Sequence, residues 1–287
     1  MGRWILHTCF YIYLVFGSIA QGWGDKGHQR INQAAAQIID GSFGQYIKYY
    51  ADSLASHAPD PDAWKRNDPE EGQRHYIDID LYSAYPFTDL PPTQAELISS
   101  FGVENVRRWG IGPYWIEEYS RNIIEMMKAG DWAGVIIPLA ALGHYVADLH
   151  MPLHVVANYN GQLSGNDGIH FRWEVPMVDT YIDTVILVGA VYQIDDLLVE
   201  GFKIVRESYT SHHEILHADS LARNGQTPEV RELLRGYDTL PETSDYLAIL
   251  YRESGQLAQN RMNQAALRVA SFWYSCWIQA GQPSPEY

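Results

Sequence analysis

Apolar positions recur at three- and four-residue intervals along most of this chain, the spacing of one helix face. KGHQRINQAAAQIID, SFGQYIKYYADSLA and VENVRRWGIGPYWIEEYSRNIIEMMKAG carry the pattern. So do WAGVIIPLAALGHYVADL, the 183–216 region and YLAILYRESGQLAQNRMNQAALRVASFWYSCW. No series of alternating strands interrupts them, and clusters rich in Asn, Gly and Pro at 59–72, 84–92, 158–168 and 222–228 read as loops. The pattern predicts an all-α, single-domain helical bundle with its site in a cleft between helices. IHFRWEVPMV is a stretch where a small hairpin could sit.

The first 22 residues are of another kind. MGRWILHTCFYIYLVFGSIAQG has a basic Arg3, a short apolar stretch and the small residues Ala20 and Gly22 near its end. That is the layout of a secretory signal peptide, and it predicts export after cleavage before Trp23. The remaining 23–287 has no Pro/Ser-rich linker, repeat or low-complexity tract, so one domain is expected. Cys9 leaves with the leader, and Cys276 alone cannot form an intramolecular disulfide. The chain also has no Asn-x-Ser/Thr sequon, which favours a bacterial exported protein over a eukaryotic secreted one. Loss of Arg3, the one charged residue of the leader, takes the formal charge from −15 to −16. Such a surface argues against broad binding to duplex DNA, which needs a basic face to displace counterions. It leaves a phosphodiester substrate open if bound cations dominate the field of the site.

Chemistry concentrates between His144 and Glu174. Two pairs, His144 with Asp148 and His170 with Glu174, each span four residues, which places both members on one helix face. His154 follows Pro152, where the helix should end or bend. Ionisable groups in an apolar run such as VIIPLAALGHYVADLHMPLHVV are costly unless paired or metal-bound. Imidazole and carboxylate suit zinc without any cysteine, and five such groups outline a site for more than one ion. His150, two residues after Asp148, falls on the opposite face and is not expected to be a ligand.

The chain after the leader begins WGDKGH. Trp-Gly-x-x-Gly-His, then His-x3-Asp-x5-His and His-x3-Glu, resembles one zinc phosphodiesterase superfamily. It comprises the fungal and plant single-strand-specific nucleases and the bacterial zinc-dependent phospholipases C. The remaining Asp…His element corresponds to DPDAWKRNDPEEGQRH, with His75 following Asp60 and Asp62, and spacing does not choose between the two aspartates.

The resemblance implies a trinuclear zinc cluster. Asp60 or Asp62, His75, His144 and Asp148 would hold one ion, and His154, His170 and Glu174 its neighbour. The free amine and carbonyl of Trp23, with His28 and the bridging Asp148, would hold the third. It also implies a helical course for IHFRWEVPMV. The activity implied is hydrolysis of a phosphoester P–O bond by a metal-bound hydroxide, with Asp60 or Asp62 orienting the water or taking its proton. The short Trp23–His28 interval and the GND-x-IH approach to His170 resemble the nucleases, which act on single-stranded nucleic acid or nucleotides. Glu174 in place of Asp resembles the phospholipases, which act on phospholipid headgroups. A zinc-binding, non-catalytic exported protein is the reading from a different class. No stable protein partner is implied.

Overall fold

The helix Ile136–His150 is apolar on every side, and every residue from Leu139 to His150 is buried. A helix of that kind belongs at the centre of a bundle, and here the others surround it. The computed structural model describes residues 23–234 and 244–286, so the expected leader lies outside the described residues. Among the described residues the main helices are α1 (Gly24–Ala35), α2 (Ala51–Ser56), α3 (Gly112–Lys128), α4 (Ile136–His150), α5 (Leu197–Tyr209), α6 (His212–Asn224) and α7 (Tyr246–Gln279). Further helices, among them Gly41–Tyr49, Gln94–Phe101 and Val103–Trp109, and short helical turns connect them, and no strand occurs among the described residues. The long α7 packs against α1, α3, α4 and α6, so the end of the chain closes the bundle over its centre. No helix of the described residues is long and apolar enough to cross a membrane. Cys276 is buried in α7, where burial pushes its thiol up to about 12, as suits a small packing residue.

Side chains from four elements donate to carbonyls of α4. The Trp273 indole donates to the Leu139 oxygen at 2.8 Å and Asn32 Nδ2 to that of Ala140 at 3.0 Å. Trp23 Nε1 donates to the Ala147 oxygen at 2.8 Å. At the C-terminal end, where carbonyls lack partners within the helix, Ser208 Oγ and Arg261 Nε donate to the Leu149 and His150 oxygens. The chain then turns at Pro152 into the short helix Pro152–Val155, ending α4 where the sequence expected.

Three stretches differ from the sequence reading. Residues 103–130 form two helices, because Gly110 adopts a left-handed φ of 82° and a Cβ there would lie 2.2 Å from the Tyr76 oxygen. The 42–55 pattern likewise breaks at Tyr50. Helix does not begin in the 183–216 region until Leu197, where the Asp196 side chain caps it by accepting from the Val199 amide. The preceding segment is instead laid along α7. Its backbone is satisfied by side chains one helix face apart: Gln259, Asn263, Ser271 and Ser275. Ile194 is buried and Val185, Leu187, Val191 and Tyr192 pack half-buried against the core, whereas Ile186 and Val188 are exposed, so the apolar spacing here carries no helix. IHFRWEVPMV is helical as the resemblance implied, running from Ile169 to Tyr181 through a wider π-helical turn at Trp173–Met177. Pro176 within that turn lacks the amide that a regular α-helix requires.

The closest approach of α1 to α4 is at Gly143, where a Cβ would lie 2.2 Å from Asn32 Oδ1. Asn32 cannot retreat, since its Nδ2 donates to both Leu54 and Ala140 carbonyls at 3.0 Å. Gly143→Ala should therefore destabilise the protein by about 1–3 kcal/mol, the usual cost of overpacking. Chemical denaturation checks it, and an unchanged midpoint would show that the two helices can part freely.

Candidate metal centre

Six segments of the chain bring ionisable side chains to one point. α1 supplies His28, the short helix Asp60–Trp64 supplies Asp62, and His75 follows the turn Gly72–Arg74. α4 supplies His144 and Asp148, the Pro152–Val155 turn His154, and the Ile169–Met177 segment His170 and Glu174. All eight are buried, with Asp148, His144 and Glu174 fully so.

Their atoms form three groups, each within 4.8 Å: His28, His144 and Asp148; Asp62, His75 and His144; His154, His170 and Glu174. Zinc bonds of about 2.0–2.2 Å in tetrahedral geometry place ligand atoms roughly 3.3 Å apart. Around the first expected ion, His75 Nδ1 lies 2.9 Å from His144 Nε2, 2.8 Å from Asp148 Oδ2 and 3.7 Å from Asp62 Oδ1. His144 Nε2 lies 3.2 Å from Asp148 Oδ2 and 3.9 Å from Asp62 Oδ1. These are five of the six edges of a ligand tetrahedron. The other oxygen of Asp148 faces away from it, 3.3 Å from His28 Nε2. One carboxylate thus addresses two groups. In the third group Glu174 Oε2 is 2.9 Å from His170 Nε2 and 3.6 Å from His154 Nε2.

His75 Nδ1 is within hydrogen-bonding reach of Asp148 Oδ2 and His144 Nε2, but much of the closeness here is not hydrogen bonding. His28 Nε2, Asp148 Oδ1, His154 Nε2, both ring nitrogens of His170 and both oxygens of Glu174 are buried without an aligned partner. Leaving a buried donor or acceptor unmade costs about 1–3 kcal/mol, more when it is charged. Such a concentration of unmade groups fits a set of metal ligands. The residues present therefore suit the ions that the chain pattern implies.

Burial acts on these groups in opposite senses. It holds the His28 and His170 imidazoles down to about 4 and pushes the Glu174 carboxyl up to about 8. Burial would also raise Asp148, but the imidazoles of His144 and His154 outweigh it and hold Asp148 well below the carboxylate range.

Trp23 is wedged between two of these elements. The Trp23 indole bonds to Ala147, the neighbour of Asp148, and its ring lies 5.3 Å from that of Trp173, the neighbour of Glu174. Of the two candidate aspartates, Asp62 joins the group, while Asp60 Oδ2 pairs with His57 Nδ1 at 2.7 Å and is partly exposed. His150 stays apart, with Nδ1 bonded to the Val146 oxygen.

A cleft of 670 Å³ opens onto His75, His154 and His170. Lys65 and Arg108 bring positive charge to it, Tyr76, Trp109, Tyr159 and Phe171 bring aromatic surface, and Asp78 lines the same space. Sequence reasoning missed Lys65, three residues after Asp62 and bonded to its Oδ1 at 2.7 Å. It missed Glu71 as well, four residues before His75 and bonded to its Nε2 at 3.2 Å. The same four-residue step that disclosed the other pairs would have found it. No local signal marks the clamp behind the 158–168 loop, where Arg172 and Arg223 both donate to the Asp167 oxygen and both pair with Asp219.

A sequence model of the S1/P1 nuclease family matches residues 23–180. The chain belongs to the S1/P1 nuclease family. The matched span begins at Trp23 and takes in every candidate ligand, so membership and the clustered geometry concern the same residues. Membership supports a nuclease-like phosphodiesterase, a hydrolase acting on phosphodiester bonds. No curated protein matches this chain.

The opposed pKa directions predict how metal and pH combine. A carboxyl whose folded pKa is raised contributes stability that is full below its unfolded pKa and is lost as pH rises through the folded one. Glu174, raised from 4.5 to about 8, does this, and Asp78, also pushed up to about 8 by burial, acts in the same sense. The depressed imidazoles of His28 and His170 act oppositely, but only below 6.5. Between pH 6.5 and 8 the metal-free protein should therefore lose stability. Added zinc should raise Tm more at pH 8 than at pH 6.5, since ligands must be deprotonated to bind. Thermal scans with zinc and with chelator check this, and a larger zinc effect at pH 6.5 would contradict it.

Proposed function

We propose that this protein is an exported, zinc-dependent phosphodiesterase acting on single-stranded nucleic acid. The observation that carries the proposal is the tetrahedron of Asp62, His75, His144 and Asp148, with the open three-ligand group of His154, His170 and Glu174 beside it on the cleft. Three zincs are the count we infer, with Asp148 shared and Trp23 completing the His28 site once the leader is removed. The start of the family match at Trp23 supports that processing and, with it, export.

When bound, zinc supplies Lewis-acid charge to a phosphoryl oxygen and lowers the pKa of water. The chain's own groups do the rest. Asp62 Oδ1 faces His75 and His144 and also accepts from Lys65, whereas Oδ2 is buried without a partner and able to accept a proton from an attacking water. The Lys65 ammonium adds positive charge beside an incoming phosphodiester, and Arg108 extends it along the cleft. Tyr76 and Tyr159 offer faces on which bases stack, each worth about 1–3 kcal/mol and tolerant of sequence. Asp78 Oδ1, buried and unpartnered, is placed to bond a base edge between them. Three ligands where a structural zinc would take four favour catalysis over a non-catalytic role. Glu174 as last ligand favours the phospholipase branch, so phosphatidylcholine belongs in the test.

Zinc-loaded protein starting at Trp23 should cleave single-stranded DNA and RNA, leave phosphatidylcholine vesicles intact and lose activity to a chelator. Asp148→Asn should lose zinc and turnover together, whereas an ordinary surface aspartate would change stability by less than about 0.5 kcal/mol. Hydrolysis of phosphatidylcholine with nucleic acid untouched would move the protein to the lipid branch. Full zinc and normal turnover in Asp148→Asn would remove the shared carboxylate.

A further inference from the structure

Every metal-facing imidazole must choose which nitrogen it presents, and the bond made by the other nitrogen sets that choice. His144 and His154 give Nδ1 to backbone oxygens, those of Ala58 and His75, both at 2.9 Å, and so turn Nε2 toward the cluster. His75 is reversed. Its Nδ1 faces Asp148, His144 and Asp62, and its Nε2 points out of the cluster to Glu71 Oε1 at 3.2 Å.

Glu71 is itself 1% exposed and held from two more directions. The Tyr145 hydroxyl, on the residue after His144, donates to the same Oε1 at 2.5 Å. Arg74 donates to Oε2 at 2.5 Å while also bonding Asp68, and its guanidinium lies 4.0 Å above the Trp115 ring. The carboxylate is thus fixed in place and charge-compensated on the side away from the metals. His75 in turn fixes His154, whose Nδ1 donates to the His75 backbone oxygen.

We propose that Glu71 is a positioning residue for the metal centre. It locks His75 in the tautomer protonated on Nε2, keeps the lone pair of Nδ1 turned to the cluster, and through the His75 backbone sets the place of His154 in the neighbouring group. The proposal rests on the reading of His75 as a zinc ligand. A carboxylate behind a ligating histidine orients the ring and strengthens it as a donor, and its loss typically costs about 10–100-fold in metal affinity or activity. Glu71→Gln keeps the shape and an acceptor oxygen but removes the charge.

The test measures zinc affinity of the full chain from Trp23 by competition with a chelating dye, alongside Tm of the metal-free form. Glu71→Gln should bind at least one zinc about 10–100-fold more weakly, with a metal-free Tm close to that of the wild type. Unchanged affinity with a lowered metal-free Tm would make Glu71 a purely structural ion pair and overturn the proposal. A wild type that binds no zinc would overturn the zinc reading itself, and this inference with it. Should the variant fail to fold, nitrogen-15 spectra of the zinc-loaded wild type decide. They should show His75 protonated on Nε2 and His144 and His154 on Nδ1, and His75 protonated on Nδ1 would refute the proposal.

Discussion

The fold is organised around a burial that is unfavourable by itself. His28, His144, Asp148 and Glu174 are at or near complete exclusion from solvent, in the middle of the most apolar helix of the chain and its neighbours. Ionised groups in that setting must be paired or coordinate a metal, and several of these atoms have no aligned hydrogen bond. The close His28–His144 stack, with ring centroids 3.8 Å apart, sets two imidazoles face to face and adds to the burial that lowers the basicity of His28. Packing elsewhere in the bundle supplies the stability that such an arrangement spends.

The scaffold is arranged to hold ligand-bearing backbone still from outside. Residues next to ligands repeatedly do the anchoring: Ala147 beside Asp148 receives Trp23, Trp173 beside Glu174 bonds Ser254 of α7, and Tyr145 beside His144 reaches Glu71. The cluster geometry is therefore shared among elements far apart in sequence. A change in α7 or at Trp23 therefore reaches these side chains through the residues beside them. The same division explains the cleft: its apolar and aromatic wall is built by the 72–82, 108–109 and 153–171 segments, while the ligands form its floor.

Much of this was legible in the sequence, and the physical reason is periodicity. His144 with Asp148 and His170 with Glu174 disclose themselves because a four-residue step fixes their common face in any helix. The ending of α4 before Pro152 follows from the missing proline amide. What periodicity cannot carry is the partner on another element. Asp60 and Asp62 have equal claims by spacing, and only the fold turns Asp62 inward and leaves Asp60 to His57. The segment before Leu197 misleads for the converse reason: Ile194 is buried and Val185, Leu187 and Val191 pack against the core, but side chains of α7 replace the hydrogen bonds a helix would have made. Glu71 was within reach of the same rule and needed only to be sought.

The central claim is that the site holds three metals, two of them sharing Asp148, and that the third depends on the terminus at Trp23. Anomalous diffraction at the zinc edge, from crystals of protein beginning at Trp23, tests it most directly. The account predicts three peaks: one within the Asp62–His75–His144–Asp148 tetrahedron, one at His154, His170 and Glu174, and one at His28 with the Trp23 amine in contact. A single peak, or a third that persists unchanged when a residue precedes Trp23, would contradict it.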